Sequence, residues 1–146
     1  VETMCKIQIN RHINVHGAYN YLYTSKDADG VRLNSSSPHS GNIRAEYNTR
    51  IPRYATVVNL SGNIMGKKKF DVLDELEIDG KKVEAYYQAK VNPYCLWDLT
   101  VSQYIMQNLR ITAGITNLFD YTSDRVTFNT STSPGRNYFI ACNYTL

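Results

Sequence analysis

The sequence lacks any apolar run of about 18 residues, so a helical membrane span is excluded. Its three cysteines, Cys5, Cys95 and Cys142, show none of the Cys-x-x-Cys or Cys/His spacings typical of a metal site. No serine lies in a Gly-x-Ser-x-Gly setting, and a net charge of +3 is too small to favour nucleic acid. We therefore expect no enzyme activity, no catalytic or metal-ligating residue, no cofactor and no nucleic-acid partner.

The residue types that are abundant favour β structure. Twelve tyrosines accompany a single tryptophan, and Asn, Thr and Ser are frequent, whereas strong helix formers are few. Hydrophobic residues make up 42% of the chain and charged residues 20%, a balance that argues against disorder. The composition indicates one all-β domain with many aromatic side chains that are partly exposed to water.

Strict alternation of apolar and polar residues is the main structural signal. In the clearest segment, residues 13–23, Ile13, Val15 and Tyr19 share one parity, while Asn14 and His16 share the other. A strand of about 9 to 11 residues with this pattern crosses a bilayer in a barrel, because every second side chain faces the lumen. Seven segments alternate in this way, with all three cysteines on the apolar parity: residues 5–9, 13–23, 42–48, 54–64, 95–102, 109–116 and 138–146.

The connections between these segments alternate in length. Those at residues 10–12, 50–53 and 106–108 are tight, whereas those at 25–40, 67–90 and 117–136 are long. An antiparallel meander has two rims, so this alternation predicts tight turns at one rim and large loops at the other, as in outer-membrane barrels. Within the second long connection, Asp79-Gly80 between alternating residues predicts a projecting hairpin.

The C-terminal region carries a specific motif. The segment before residue 121 ends in Gly-x-x-Asn-Leu-Phe-Asp, and the last long connection closes in Pro-Gly-Arg before a final alternating strand. In order and spacing this resembles the C-terminal signature of TonB-dependent receptors. The residues that carry the resemblance are Gly114, Asn117, Leu118, Phe119, Asp120, Pro134, Gly135 and Arg136. Asn117 and Asp120 are interpreted as turn residues, because Asx side chains favour turns at strand ends.

The resemblance implies a fold and a function. Residues 1–146 are expected to form an antiparallel up-and-down meander of about seven strands, the C-terminal part of a transmembrane barrel of about 22 strands, without the plug domain and earlier strands. The expected activity is uptake of a scarce nutrient across the outer membrane of a Gram-negative bacterium. The form of the motif favours an iron chelate (siderophore or haem) or cobalamin. The implied partners are the TonB complex through the absent plug, outer-membrane lipid, and the assembly machinery at the C-terminal strand.

Ligand contacts are expected in the long connections, which the family topology places outside the cell. Aromatic and cationic side chains suit an anionic or conjugated chelate. The candidates are Arg32, His39, Tyr87, Arg125 and Phe128. The final residue, Leu146, departs from the aromatic residue common at this position in such barrels, although it keeps the apolar character.

Two other architectures are compatible with the alternation. One is a complete outer-membrane barrel of about eight strands with a structural or adhesive role, which requires an additional strand from residues 76–87. The other is a soluble lipocalin-like barrel that binds a small ligand, in which the apolar parity faces inward. Detergent dependence separates the soluble barrel from both membrane alternatives.

Overall fold

The computed structural model describes residues 1–23, 37–78, 81–105, 108–122 and 135–145, and for residues 69–89 it describes the backbone alone. Within these ranges no helix is long and apolar enough to cross a membrane. Nine strands are present in the described parts: β1 (Glu2–Gln8), β2 (Ile13–Tyr21), β3 (His39–Asn48), β4 (Thr56–Met65), β5 (Lys68–Ile78), β6 (Lys81–Val91), β7 (Tyr94–Ile105), β8 (Leu109–Thr116) and β9 (Asn137–Tyr144).

Seven of these strands form one antiparallel sheet in the order β1-β2-β3-β4-β7-β8-β9. Strands β5 and β6 pair only with each other, as a separate hairpin between β4 and β7. The predicted seven-stranded meander and the predicted projecting hairpin are both confirmed. The prediction was incomplete in counting the hairpin as part of a loop, so Tyr87, expected in a long connection, lies in β6.

The two ends of the sheet differ in the length of their connections, as predicted. The short connections from β1 to β2, from β3 to β4 and from β7 to β8 leave the sheet at one end, which we call the short rim. The connections from β2 to β3, from β4 to β7 and from β8 to β9 leave the sheet at the other end, the long rim. The predicted start of one strand at the long rim was wrong. His39, expected in a loop, is the first residue of β3.

The strand register assembles the apolar parities into one continuous surface, because residues directly opposite each other in a sheet point to the same side. One row crosses all seven strands and is apolar throughout: Ile7, Val15, Ala45, Leu60, Leu99, Ile115 and Tyr138. We call this side the apolar face. Cys5, Cys95 and Cys142 have the same parity, as predicted, and all three thiols are free.

The opposite side, the polar face, is assembled by the same register. Its central row contains Lys6, His16, Arg44, Ser61 and Asp98. A neighbouring row contains Gln8, Asn14, Glu46, Asn59, Thr100, Gly114 and Phe139. A sheet with one such face and one apolar face separates two environments of different polarity.

The apolar face is not covered by other parts of the described chain. Among the described side chains only Val91 counts as a buried hydrophobic residue, at 8% exposure. On the apolar face, Ile140 is 82% exposed and Ile7 54% exposed. Because burial of each such side chain is worth about 1.5 to 3 kcal/mol, this surface requires an apolar environment.

Two glycines allow aromatic rings to lie flat on the sheet. A Cβ atom on Gly62 would lie 2.9 Å from three ring atoms of Trp97, its cross-strand partner on the apolar face. On the polar face a Cβ atom on Gly114 would collide with the ring of its partner Phe139 and lie 3.2 Å from the Leu99 carbonyl oxygen. Gly114 therefore makes room for Phe139.

Candidate functional site

The signature residues after β8 form a turn organised by Asn117. This residue has a positive φ of 52°, which Asn tolerates better than most residues, and it is buried, with 5% of its surface exposed. Its Oδ1 accepts a hydrogen bond from the Tyr121 backbone N–H at 2.8 Å, and its Nδ2 donates to the Tyr121 carbonyl oxygen at 2.8 Å. The Asp120 N–H also donates to the Asn117 carbonyl oxygen at 2.8 Å. The Asn117 amide thus closes the turn.

The same turn is attached to β7. The Asn117 N–H donates to Asp98 Oδ1 at 2.9 Å, and the Leu118 N–H donates to the Trp97 carbonyl oxygen at 2.6 Å. These two bonds hold the chain beyond Thr116 against β7, one through the Asp98 carboxylate and one through the backbone. Asp98, on the polar face, therefore has a structural role, because its carboxylate binds the Asn117 backbone.

Asp120 joins this turn to the start of β9. Its φ is 55°, and its Oδ1 accepts a hydrogen bond from the Arg136 backbone N–H at 2.7 Å. A Cβ atom on Gly135 would lie 3.0 Å from the same oxygen, so a glycine fits there. The Arg136 guanidinium bonds to the Tyr138 side chain, and this bond, more than the nearby Asp120 carboxylate, raises the pKa of Arg136 above its ordinary value. The two halves of the signature are in direct contact.

The predicted ligand residues are only partly described. Arg32, Arg125 and Phe128, together with the signature residue Pro134, lie outside the described residues, and Tyr87 is described by its backbone alone. His39 lies at the long rim, in register with Tyr21 on the apolar face. Its Nδ1 is 2.6 Å from the Tyr19 hydroxyl, and its ring lies 5.0 Å from that of Tyr21, centroid to centroid. Of the five candidates, the described residues therefore place one in detail, inside a Tyr/His cluster on the apolar face.

The polar face contains an open groove at the long rim that was not predicted. Its volume is about 290 Å³. It is lined by Glu2, Ala18, Asn20, Ser40, Gly41, Asn42, Asn63, Ile64 and Met65, from strands β1 to β4. The signal available in the sequence was the polar parity of residues 18, 20, 42 and 63, but only the register shows that these positions adjoin. We call this feature the asparagine groove.

An aromatic pair lies beside this groove. Tyr94, the first residue of β7, is the cross-strand partner of Met65, and its ring stacks on Tyr121 with centroids 5.0 Å apart and an angle of 8° between planes. The pair connects the groove to the turn that Asn117 organises. No group of three or more His, Cys, Asp or Glu side chains able to hold a metal ion occurs in the described ranges.

The geometry is that of a segment of an antiparallel barrel wall. It has one apolar face and one polar face, with short connections at one rim and long connections at the other. Residues 6–118 match the family profile described as TonB dependent receptor-like, beta-barrel. The chain therefore belongs to the TonB-dependent receptor β-barrel family. No match was found among curated protein sequences.

The chain superposes on solved structures that are much longer than itself. A mutant of the ferric enterobactin receptor PfeA of Pseudomonas aeruginosa, in complex with enterobactin, superposes with a TM-score of 0.75 at 17% identity over 98% of this chain and 22% of its own. The ferripyoverdine receptor of the outer membrane of Pseudomonas aeruginosa, bound to ferripyoverdine, gives 0.74 at 17% identity over 98% and 19%. The FpvAI–pyocin S2 complex gives 0.73 at 17% identity over 98% and 18%. The chain thus spans about a fifth of the length of these receptors.

Proposed function

We propose that the chain forms the C-terminal part of the barrel of an outer-membrane receptor that imports an iron chelate (siderophore or haem) or cobalamin. The observation that carries this proposal is the superposition of almost the whole chain on receptors for ferric enterobactin and ferripyoverdine. The family supports a transport receptor over an enzyme. The proposed location, the outer membrane of a Gram-negative bacterium, is supported by the ferripyoverdine receptor, which is an outer-membrane protein.

In this proposal the two faces have separate roles. The apolar face meets lipid, which supplies the apolar environment that the described chain does not, and tyrosines near both rims meet the bilayer interfaces. The polar face lines the lumen, and the long rim faces outward. Strand β9 presents a free edge for closure of the barrel and for the assembly machinery.

The ligand and the TonB complex complete the proposed assembly. TonB would act through a plug domain, and the ligand would be captured at the long rim by residues that include Arg32, His39, Tyr87, Arg125 and Phe128. The apolar-face position of His39 makes it the weakest of these five candidates, because its ring packs on Tyr19 and Tyr21.

The two alternative architectures lose support from the strand order. The sheet begins at β1 and ends at β9, and these two strands make no contact with each other. Residues 76–87 belong to the separate β5–β6 hairpin, so they do not supply the eighth strand of a closed small barrel. A lipocalin-like barrel also requires closure.

Growth under iron limitation tests the proposal. The full-length gene is expressed in a Gram-negative strain without its own ferric-chelate receptors, and growth is measured on a panel of ferric siderophores and haem, with and without a functional TonB. We expect TonB-dependent growth on at least one ferric chelate. Growth on none of them, with the receptor folded in the outer membrane, would contradict the proposal.

A further inference from the structure

The asparagine groove is a concave surface lined by three asparagine side chains. Asn42 and Asn63 are cross-strand partners, and Asn20 lies in the next row towards the long rim. None of these three side chains has a hydrogen-bond partner in the part of the chain that the structure describes. Because each amide offers both donors and an acceptor, the groove presents a dense set of hydrogen-bonding groups to any occupant.

The lining restricts the chemistry of that occupant. Glu2 is the only charged lining residue, and neither lysine nor arginine lines the groove; Arg44, two residues from Asn42 on the same face, lies in the adjacent row. No aromatic ring lines the groove either, and the nearest ring in the same row, that of Tyr94, already stacks on Tyr121. The lining residues themselves therefore best complement an uncharged group that presents N–H and C=O together.

We propose that the asparagine groove binds the peptide part of an imported ligand, through hydrogen bonds between its amides and the Asn42 and Asn63 side chains. Peptide groups match carboxamides because each offers one donor and one acceptor at a fixed spacing. The inference rests on the proposed function, and it deepens it by naming a ligand class: a ferric chelate built on a peptide.

Size and position agree with this assignment. A volume of about 290 Å³ lies near the lower end of small-molecule sites, so the groove holds a short part of a ligand. It opens at the long rim, where a ligand that enters from that side first meets the polar face. Two of its lining residues, Ala18 and Gly41, are small.

The test uses the purified full-length receptor in detergent and calorimetric binding of three probes. These are the ferric complex of a linear peptide trihydroxamate, the same peptide without iron, and ferric citrate, which contains no amide. The main variant is the double substitution Asn42→Leu, Asn63→Leu. The matched control is Asn14→Leu, which changes an asparagine on the same face outside the groove. A second variant, Ala18→Phe, fills the groove and keeps every amide.

We expect the double variant to bind the peptide chelate about tenfold more weakly than the wild type, as the loss of two hydrogen-bonding amides implies. Ala18→Phe should weaken binding similarly, whereas Asn14→Leu should stay within about twofold because it is distant from the groove. Heat-modifiable migration in gels verifies that each variant is folded. Wild-type affinity in both groove variants, or no binding of the peptide by the wild type, would overturn the inference.

The outcomes separate the inference from the proposed function. Binding of ferric citrate but not of the peptide chelate would overturn the inference and leave an iron-chelate receptor in place. Asparagine-dependent binding of the iron-free peptide, together with no growth on any ferric chelate, would support the groove as a peptide site and overturn iron uptake.

Discussion

Asp120 and Arg136 are joined by a hydrogen bond of 2.7 Å, from the Arg136 backbone N–H to the Asp120 carboxylate, across the last long connection. This contact brings together two sequence motifs through two residues that are 16 positions apart. It fixes the position at which β9 begins, and β9 is the edge at which a barrel would close. The signature is therefore a structural device for strand placement.

Replacement of Asp120 tests this role. Asp120→Ala removes the acceptor and places alanine at a φ of 55°, so we expect the full-length receptor to lose about 1 to 3 kcal/mol of unfolding free energy. Asp120→Asn keeps an Oδ1 acceptor and tolerates this φ, so it should stay closer to the wild type. Urea unfolding in lipid vesicles measures both. Equal stability of the alanine variant and the wild type would exclude the role.

Asn117 allows backbone strain to be separated from hydrogen bonding. Asn117→Gly keeps the positive φ accessible but loses both bonds to Tyr121, whereas Asn117→Ala loses the bonds and adds strain. We expect both variants to be destabilised, the alanine variant by about 1 kcal/mol more, in the same unfolding assay. A glycine variant as stable as the wild type would show that the side-chain bonds contribute nothing.

The packing of Phe139 on Gly114 predicts a non-additive pair. Gly114→Ala should destabilise the receptor because the new Cβ displaces the Phe139 ring. In a Phe139→Ala background the same substitution should cost much less, with a coupling energy of about 0.5 to 3 kcal/mol. A double-mutant cycle of unfolding free energies provides the measurement, and additive effects would contradict the packing.

The open edges predict the behaviour of residues 1–146 alone. Strands β1 and β9 each present an unpaired edge, and the apolar face is uncovered, so the chain should associate in plain buffer. Sedimentation velocity with and without detergent measures this. A folded, monodisperse monomer in buffer without detergent would be evidence for a soluble barrel.

Much of the fold was predictable because parity and connection length are local properties of the sequence. Alternation located all seven strands of the sheet, and Asp79-Gly80 located the hairpin. The strand start at His39 was missed because Ser37 and Pro38, which precede it, resemble loop sequence, although the Ser37 hydroxyl donates to the His39 carbonyl oxygen at 2.6 Å.

The site was less predictable because it depends on register between distant strands. Asn42 and Asn63 are neighbours only through the β3–β4 pairing, and Asp98 meets Asn117 only where β7 extends past the end of β8. Similarly, the contact of Gly114 with Phe139 spans the β8–β9 pairing. Alternation identifies the face of each residue, but its cross-strand partner requires the register.

The most direct test of the membrane assignment is spin-label accessibility along β7 in the full-length receptor in lipid vesicles. Labels are attached to Leu99→Cys, Thr100→Cys, Val101→Cys and Ser102→Cys, one at a time, after replacement of the native cysteines by alanine. We expect residues 99 and 101 to be accessible to oxygen dissolved in lipid, while residues 100 and 102 are shielded from it. Equal accessibility at all four positions, or the opposite parity, would contradict the assignment of the apolar face to lipid.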